Sequence, residues 1–320
     1  MKKTLSFLLA LVTVFALTAC GGEGGAAPAN LRFVTGGESG TYYAFGSVIA
    51  QHATNEAGVN VVGLVGNGSQ SNVLELNDGN AELAFCQSDV MAYAYGGTNL
   101  FEENGAVTCF STVAALYTEQ VQIVTLDPAI KTVADLEGKK VSVGAAGSGV
   151  YFNAIDILGC YDLTLDDIVP TYQSFGDSAN DLKDGKIDAA FIVAGAPTNA
   201  VTDLATTKSV SLVSLDDAHV EKLLAGSDYY AKCVIPASVY GTESDVTTVG
   251  VGAVILARND VSEDAVYAFV KDIFDNAPNL VDTHAKYGEL SLDYAASITS
   301  VPYHPGAAKY FAEQGKTVNS

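Results

Sequence analysis

Two short stretches carry the reading of this chain: S-G-T-Y-Y-A-F at residues 39–45 and S-G-V-Y-F-N-A at residues 148–154. Each follows a short apolar run, Leu31 to Val34 in the first case and Val141 to Gly144 in the second, and each leads into a helical pattern. An S-G pair between a strand and a helix presents free backbone N–H groups at the positive end of the helix dipole. Its Gly, without a Cβ, allows close backbone approach. Such a turn is a ready cradle for an anion.

Working outward, the whole order of elements recurs. From Leu31 the chain reads strand L-R-F-V, turn T-G-G-E-S-G, and a helix from about Thr41 to Thr54. Strand V-N-V-V-G-L-V, turn G-N-G-S, a helix from Gln70 to Leu76, turn N-D-G-N and strand A-E-L-A-F-C follow, and Q-S-D opens a further helix. From Lys139 it reads strand K-V-S-V-G, turn A-A-G-S-G and a helix from Val150 to Gly159. Strand V-P-T-Y-Q, turn S-F-G-D, a helix from Ser178 to Lys183, turn K-D-G-K and strand I-D-A-A-F-I-V follow, and G-A-P-T opens the last helix. Ser39-Gly40 aligns with Ser148-Gly149 at an offset of 109, and Phe85 with Phe191 at 106; the slip is a difference in loop length. Short apolar strands alternating with helices predict an α/β fold with mostly parallel sheet. Two copies predict two similar lobes.

Between the copies, residues 110–119 read as one strand and 121–126 as another. Residues 246–258 are strand-like, and S-E-D-A-V-Y-A-F-V-K-D-I-F is a helix capped by Ser262. The expected organisation is lobe I over 31–120 plus about 215–320 and lobe II over 121–214, with hinge crossings near 117–123 and within 210–258.

The N-terminus has a charged start, an apolar run from Leu5 to Leu17 too short to span a bilayer, and L-T-A-C ending at Cys20. This predicts a lipoprotein signal peptide over 1–20 with lipidation at Cys20, a flexible Gly- and Ala-rich tether over 21–30, and an extracytoplasmic protein held to the membrane by a lipid anchor alone. Removal of Lys2 and Lys3 leaves 14 basic against 37 acidic residues, a net charge of −23. No basic patch survives, which argues against nucleic acid as a partner. Cys86, Cys109, Cys160 and Cys233 have no C-x-x-C spacing and read as buried free thiols. The four His are dispersed, so neither a metal site nor a cofactor is expected. No nucleophile elbow, P-loop or dinucleotide fingerprint is present, which argues against an enzyme.

The other turns fall at the same sheet edge as the paired S-G turns: G-N-G-S, Q-S-D, Y-T-E at the crossing, and G-A-P-T. In open α/β sheets the ligand crevice lies at the carboxyl ends of the strands. Two facing cradles across a hinge would grip a small anion from both sides. Tyr42 and Tyr43 open the first helix, and either one can wall the pocket.

At T-G-G-E-S-G-T-Y-Y-A-F-G the sequence resembles the TAXI family, extracytoplasmic solute receptors of TRAP transporters. The likeness continues through G-N-G-S-Q-S-N-V-L-E-L-N-D-G-N-A-E-L-A-F, A-A-L-Y-T-E, V-A-D-L-E-G-K-K-V-S-V-G-A-A-G-S-G, D-G-K-I-D-A-A-F and V-P-Y-H-P-G-A-A-K-Y-F. The resemblance implies a type II periplasmic-binding-protein-like clamshell, each lobe a mixed, mostly parallel sheet flanked by helices. It implies capture of a small organic anion or amino acid, of the glutamate, 2-oxoglutarate or related dicarboxylate class, and delivery to a TRAP-type membrane permease. Its pocket residues map onto Ser39, Gly40, Thr41, Tyr42, Tyr43, Asn67, Gly68, Ser69, Gln87, Ser88, Tyr117, Ser148 and Gly149. Val150 and Pro197, beside these turns, complete the candidate set. Glu38 departs from the family pattern: beside the cradle its carboxylate would repel a dianion, and it can either hold a ligand ammonium or point to solvent, the second being the expectation here. The only arginines, Arg32 and Arg258, are placed for no carboxylate clamp, so carboxylate binding would rest on N–H groups and hydroxyls. The alternative role is a surface sensor or interaction lipoprotein with the same fold and no part in transport.

Overall fold

The computed structural model describes residues 29–103 and 105–320. The signal peptide, Cys20 and nearly all of the tether lie outside the described residues. The first copy forms β1 (Asn30–Val34), α1 (Thr41–Glu56), β2 (Asn60–Leu64), α2 (Ser69–Asn77), β3 (Leu83–Gln87) and α3 (Ser88–Gly96). A long strand, β4 (Phe110–Thr125), leads to the second copy: β5 (Lys140–Ser142), α4 (Gly149–Cys160), β6 (Val169–Thr171), α5 (Phe175–Lys183), β7 (Ala189–Ala194) and α6 (Asn199–Ala205). Then come β8 (Ser211–Leu212), α7 (Asp217–Gly226), β9 (Ala231–Ile235) and a second long strand, β10 (Val246–Arg258). The chain ends with α8 (Glu263–Asp275), α9 (Ala277–Leu280), α10 (Leu292–Ala295) and α11 (Pro305–Glu313).

The duplication is visible in the pairing. The strand order is β2-β1-β3-β10-β4-β7-β5-β6. In the first half β2, β1 and β3 are parallel and β10 adds antiparallel to β3. In the second half β6, β5 and β7 are parallel and β4 adds antiparallel to β7. Each half therefore has the same order and is closed by a strand that also serves the other half.

Both faces of each half are covered, which is why the strands read as apolar runs rather than as alternation. Phe33, Leu83 and Phe85 point into one core with Phe45, Phe269 and Phe311; Val34, Ala84 and Cys86 point into a second core on the opposite face. Likewise Val121, Ile123, Phe191 and Val193 fill one side of the second half, and Val124, Ala190 and Ile192 the other.

Three expectations are corrected. Residues 110–125 are one strand, not two: Phe110 to Gln120 pair with β10, and Gln120 to Thr125 pair with β7. The segment from 215 to about 250 does not belong with the first half. Leu215, Val220, Leu223, Tyr230 and Val249 pack in the core of the second, so the return crossing falls within β10, where its partner changes from β9 to β3 between Gly250 and Ala253. Finally, α5 begins at Phe175 rather than Ser178, because Ser174 caps it by accepting from the Asp177 N–H at 3.1 Å.

Candidate functional site

The helices of this protein differ in how their first turns are capped. Away from the seam between the halves, α7, α8, α10 and α11 carry side-chain caps from Asp216, Ser262, Ser291 and His304. At the seam, α1, α2 and α4 begin at Gly40, Gly68 and Ser148 with no side-chain cap. Their N-terminal donors face a cavity of about 430 Å3, which is large enough for a small organic molecule. A fourth helix, α5, adds Ser174 and Phe175 to the wall.

The two halves meet around this cavity. The Ser71 N–H donates to the Gly147 carbonyl at 2.9 Å, the Ala200 N–H to the Ser39 carbonyl at 3.2 Å, and Thr41 Oγ1 to the Gly195 carbonyl at 2.9 Å. Gly68 lies against Ser148: a Cβ on Gly68, whose φ is +104°, would be 3.1 Å from Ser148 Cα. A Cβ on Gly149 would be 1.6 Å from Gln87 Oε1. These two glycines let the uncapped helix starts close on one another.

The cavity walls include Ser39, Gly40, Thr41, Tyr42, Asn67, Gly68, Ser69, Gln87, Ser148, Gly149 and Val150. Four candidates lie elsewhere. Tyr43 is half-buried one position round the helix from Tyr42. Ser88 is buried and its Oγ accepts from the Gly252 N–H at 2.9 Å, which pins β10. Tyr117 is buried beneath Lys286, whose Nζ sits 5.1 Å from the ring centre. Pro197 is exposed. Within the set, Ser69 Oγ is occupied by the Gln87 N–H at 3.0 Å. Ser148 Oγ and Gln87 Oε1 are buried without a partner among the described residues.

Of the Y-T-E turn the sequence singled out Tyr117, whereas Glu119 is the residue that lines the cavity; Gln173, Phe175, Asp177 and Asn180, which also line it, were missed. Glu38 is exposed and stands at the mouth. Neither arginine comes near. Arg32 binds Glu82 at 2.9 Å and the Gly79 carbonyl at 2.7 Å, and Arg258 binds Asp260 at 2.6 Å. Among the described residues no Lys, Arg or His lines the cavity.

Two buried carboxyls flank the seam. Glu119 takes the Tyr42 hydroxyl at 2.6 Å on Oε2; burial pushes its carboxyl well above the usual range, against the hydrogen bond from Tyr42. Asp89 is fully buried at the start of α3, and burial pushes it up to about 7. It anchors a relay across the halves. Gln87 Nε2 donates to Asn153 Oδ1 at 3.0 Å, Asn153 Nδ2 donates to Asp89 Oδ2 at 2.9 Å and to the Tyr230 oxygen at 2.7 Å, and the Tyr230 hydroxyl donates to Asp156 Oδ2 at 2.8 Å.

The profile of the NMT1-like family matches residues 33–315. The chain belongs to the NMT1-like family. Its fold is that of periplasmic binding proteins. A protein of Bordetella bronchiseptica RB50 superposes with a TM-score of 0.53 at 16% identity over 89% of each chain. The alkanesulfonate-binding protein of Xanthomonas axonopodis pv. citri, bound to MOPS, has a TM-score of 0.51 at 17% identity, over 90% of this chain and 85% of its own. An ancestral arginine-binding protein bound to arginine has a TM-score of 0.50 at 14% identity, over 84% of this chain and 99% of its own. The NMT1-like chain thus has the type II clamshell that the resemblance of its motifs implied. No helix among its described residues is long and apolar enough to cross a membrane. All four cysteines among them are free, with Cys86 buried and Cys109, Cys160 and Cys233 only partly so, which corrects the expectation that all are buried.

Proposed function

We propose that this protein is an extracytoplasmic solute receptor that captures a small carboxylate or amino acid, of the glutamate or 2-oxoglutarate class, by closing its halves around the ligand. It then delivers the ligand to a TRAP-type membrane permease, as the resemblance of its motifs to TAXI receptors implies, and is held at the membrane through lipid on Cys20. The observation that carries this reading is the convergence of the uncapped N-termini of α1, α2 and α4 on one cavity. Uncapped helix starts bind an anion without a formal cation. The similar clamshells that hold MOPS or arginine support capture of a small charged molecule. No catalytic step enters: closure is a shift between two arrangements driven by ligand contacts to both halves.

A thermal-shift screen of the purified, ligand-free protein against amino acids, dicarboxylates and 2-oxoacids tests the reading. A ligand at 100 times its Kd adds about 2.7 kcal/mol of stability. A folded protein that shifts with none of these compounds refutes the ligand class.

A further inference from the structure

Glu119 is a carboxyl with little to hold a charge. It is 2% exposed, and among the described residues its side chain makes one hydrogen bond, from the Tyr42 hydroxyl to Oε2 at 2.6 Å. The ammonium of Lys286 is spent elsewhere: Nζ donates to Glu289 Oε1 at 2.5 Å and to the Ala196 carbonyl at 3.2 Å. A carboxylate in such a place, with one donor and no ion pair, is far costlier than the neutral acid. The groups packed around it do not reverse this. Asp89 at the start of α3 opposes ionisation, and the Tyr42 bond and Lys286 favour it, but burial outweighs both and holds the carboxyl well above the usual range. Cys86 on β3, Tyr117 on β4 and Tyr294 on α10 also face it, and burial keeps each of them neutral.

A neutral Glu119 and Tyr42 have two protons and one bond between them. With Oε2 accepting from Tyr42, the proton of the acid lies on Oε1. Oε1 has no partner among the described residues, and it differs from Gln87 Oε1, which is shut behind Gly149. It is not one of the unpartnered atoms that are closed off, and Glu119 lines the cavity. Were the bond reversed, the Tyr42 proton would be the free one, and Tyr42 lines the same cavity. In either arrangement the pair has one O–H left without a protein acceptor.

We propose that Glu119 is a specificity residue that works as a neutral acid, its Oε1 hydroxyl donating to an acceptor oxygen of the ligand beside the backbone donors at the starts of α1, α2 and α4. This rests on the reading of the cavity as a solute pocket and adds a side-chain donor to it. A carboxylic acid kept neutral by an apolar site can serve as a donor, and an O–H bond to a charged oxygen is among the stronger hydrogen bonds. The role fits a cavity whose described lining has no Lys, Arg or His. There an anion is met by hydrogen-bond donors alone.

The test is calorimetric titration at pH 7 of the wild-type protein, Glu119→Gln and Glu119→Leu with 2-oxoglutarate and L-glutamate, with thermal melts to confirm folding. Gln keeps an oxygen for Tyr42 and an N–H donor for the ligand, so its affinity is expected to stay within about threefold of wild type. Leu has no donor, and its affinity is expected to fall by about 10- to 100-fold. A fall with both compounds places the bond on a carboxylate oxygen, and a fall with 2-oxoglutarate alone places it on the oxo group. Infrared difference spectra of the wild-type protein give a readout that stands if the Leu variant does not fold. A protonated-carboxyl C=O band, absent from Glu119→Gln, is expected to shift on ligand binding without disappearing. The inference is overturned if Gln loses as much as Leu, if Leu loses nothing, or if the loss is confined to L-glutamate, whose distinguishing group is an ammonium. A band that vanishes or stays unmoved on binding overturns it as well. Each of these leaves the solute receptor standing, whereas absence of binding of both compounds by the wild-type protein overturns the ligand class and the inference together.

Discussion

At Gly149 the space for a side chain is already taken. A Cβ there would stand 1.6 Å from Gln87 Oε1, 2.5 Å from its Cδ and 2.9 Å from Ser69 Oγ, all across the seam. Gly149→Ala therefore opposes closure, and ligand affinity by calorimetry is expected to fall at least about tenfold. Asp89 acts through protonation instead. Burial pushes its carboxyl in the folded state up to about 7, above the ordinary aspartate value of 3.8. The folded state thus holds the proton more tightly than the unfolded chain, and stability falls as pH rises through that interval, levelling above about 7. Asp89→Asn keeps an acceptor for Asn153 and removes this slope. In urea titrations the stability gain of the variant over wild type is expected to grow by about 2 kcal/mol between pH 5 and pH 8. A gain independent of pH would show that Asp89 is not the group concerned.

At the level of elements, α11 packs its first turn against the start of α8. A Cβ on Gly306 would be 2.2 Å from the Glu263 carbonyl oxygen and 2.7 Å from the Tyr267 nitrogen. These are backbone atoms that cannot rotate away, so Gly306→Ala is expected to destabilise by about 2 kcal/mol or more, seen as a lowered melting temperature. Most elements were legible because their signals are local. Ser262 caps α8, and apolar runs bounded by Gly turns became β1, β3, β5 and β7. The misreadings share a cause, which is that a partner distant in sequence decides. S-F-G-D has turn composition, yet Ser174 caps a helix there, and with that start went Phe175, Asp177 and Asn180. Glu119 looked like the exit from a strand because nothing local shows that β4 continues to Thr125 against β7. Two residues from Tyr117 on the same strand face, it had a readable signal in the alternation of side chains. Lys286, far along the tail, gave none; only the fold brings it over Tyr117.

Across the whole molecule, Asn153 is one of the ties between the halves. It is fully buried on α4 and touches Gln87 and Asp89 on one side and Tyr230 on the other. Asn153→Ala leaves those partners unsatisfied in the closed form. Apparent affinity is expected to drop by about 10- to 100-fold, with a larger radius of gyration in ligand-saturating solution scattering. An unchanged radius would remove Asn153 from the closing contacts. The two long strands carry a different consequence. β4 and β10 pair from Phe110 to Gln120 and each extends into both halves, so the described residues form a single ten-stranded sheet rather than two. Melting either half strips the neighbour of a strand and exposes its core face. Separate cores of this kind share one fate: heating is expected to give a single calorimetric transition whose van't Hoff and calorimetric enthalpies agree, and the protein has no half that can survive alone to be salvaged or swapped.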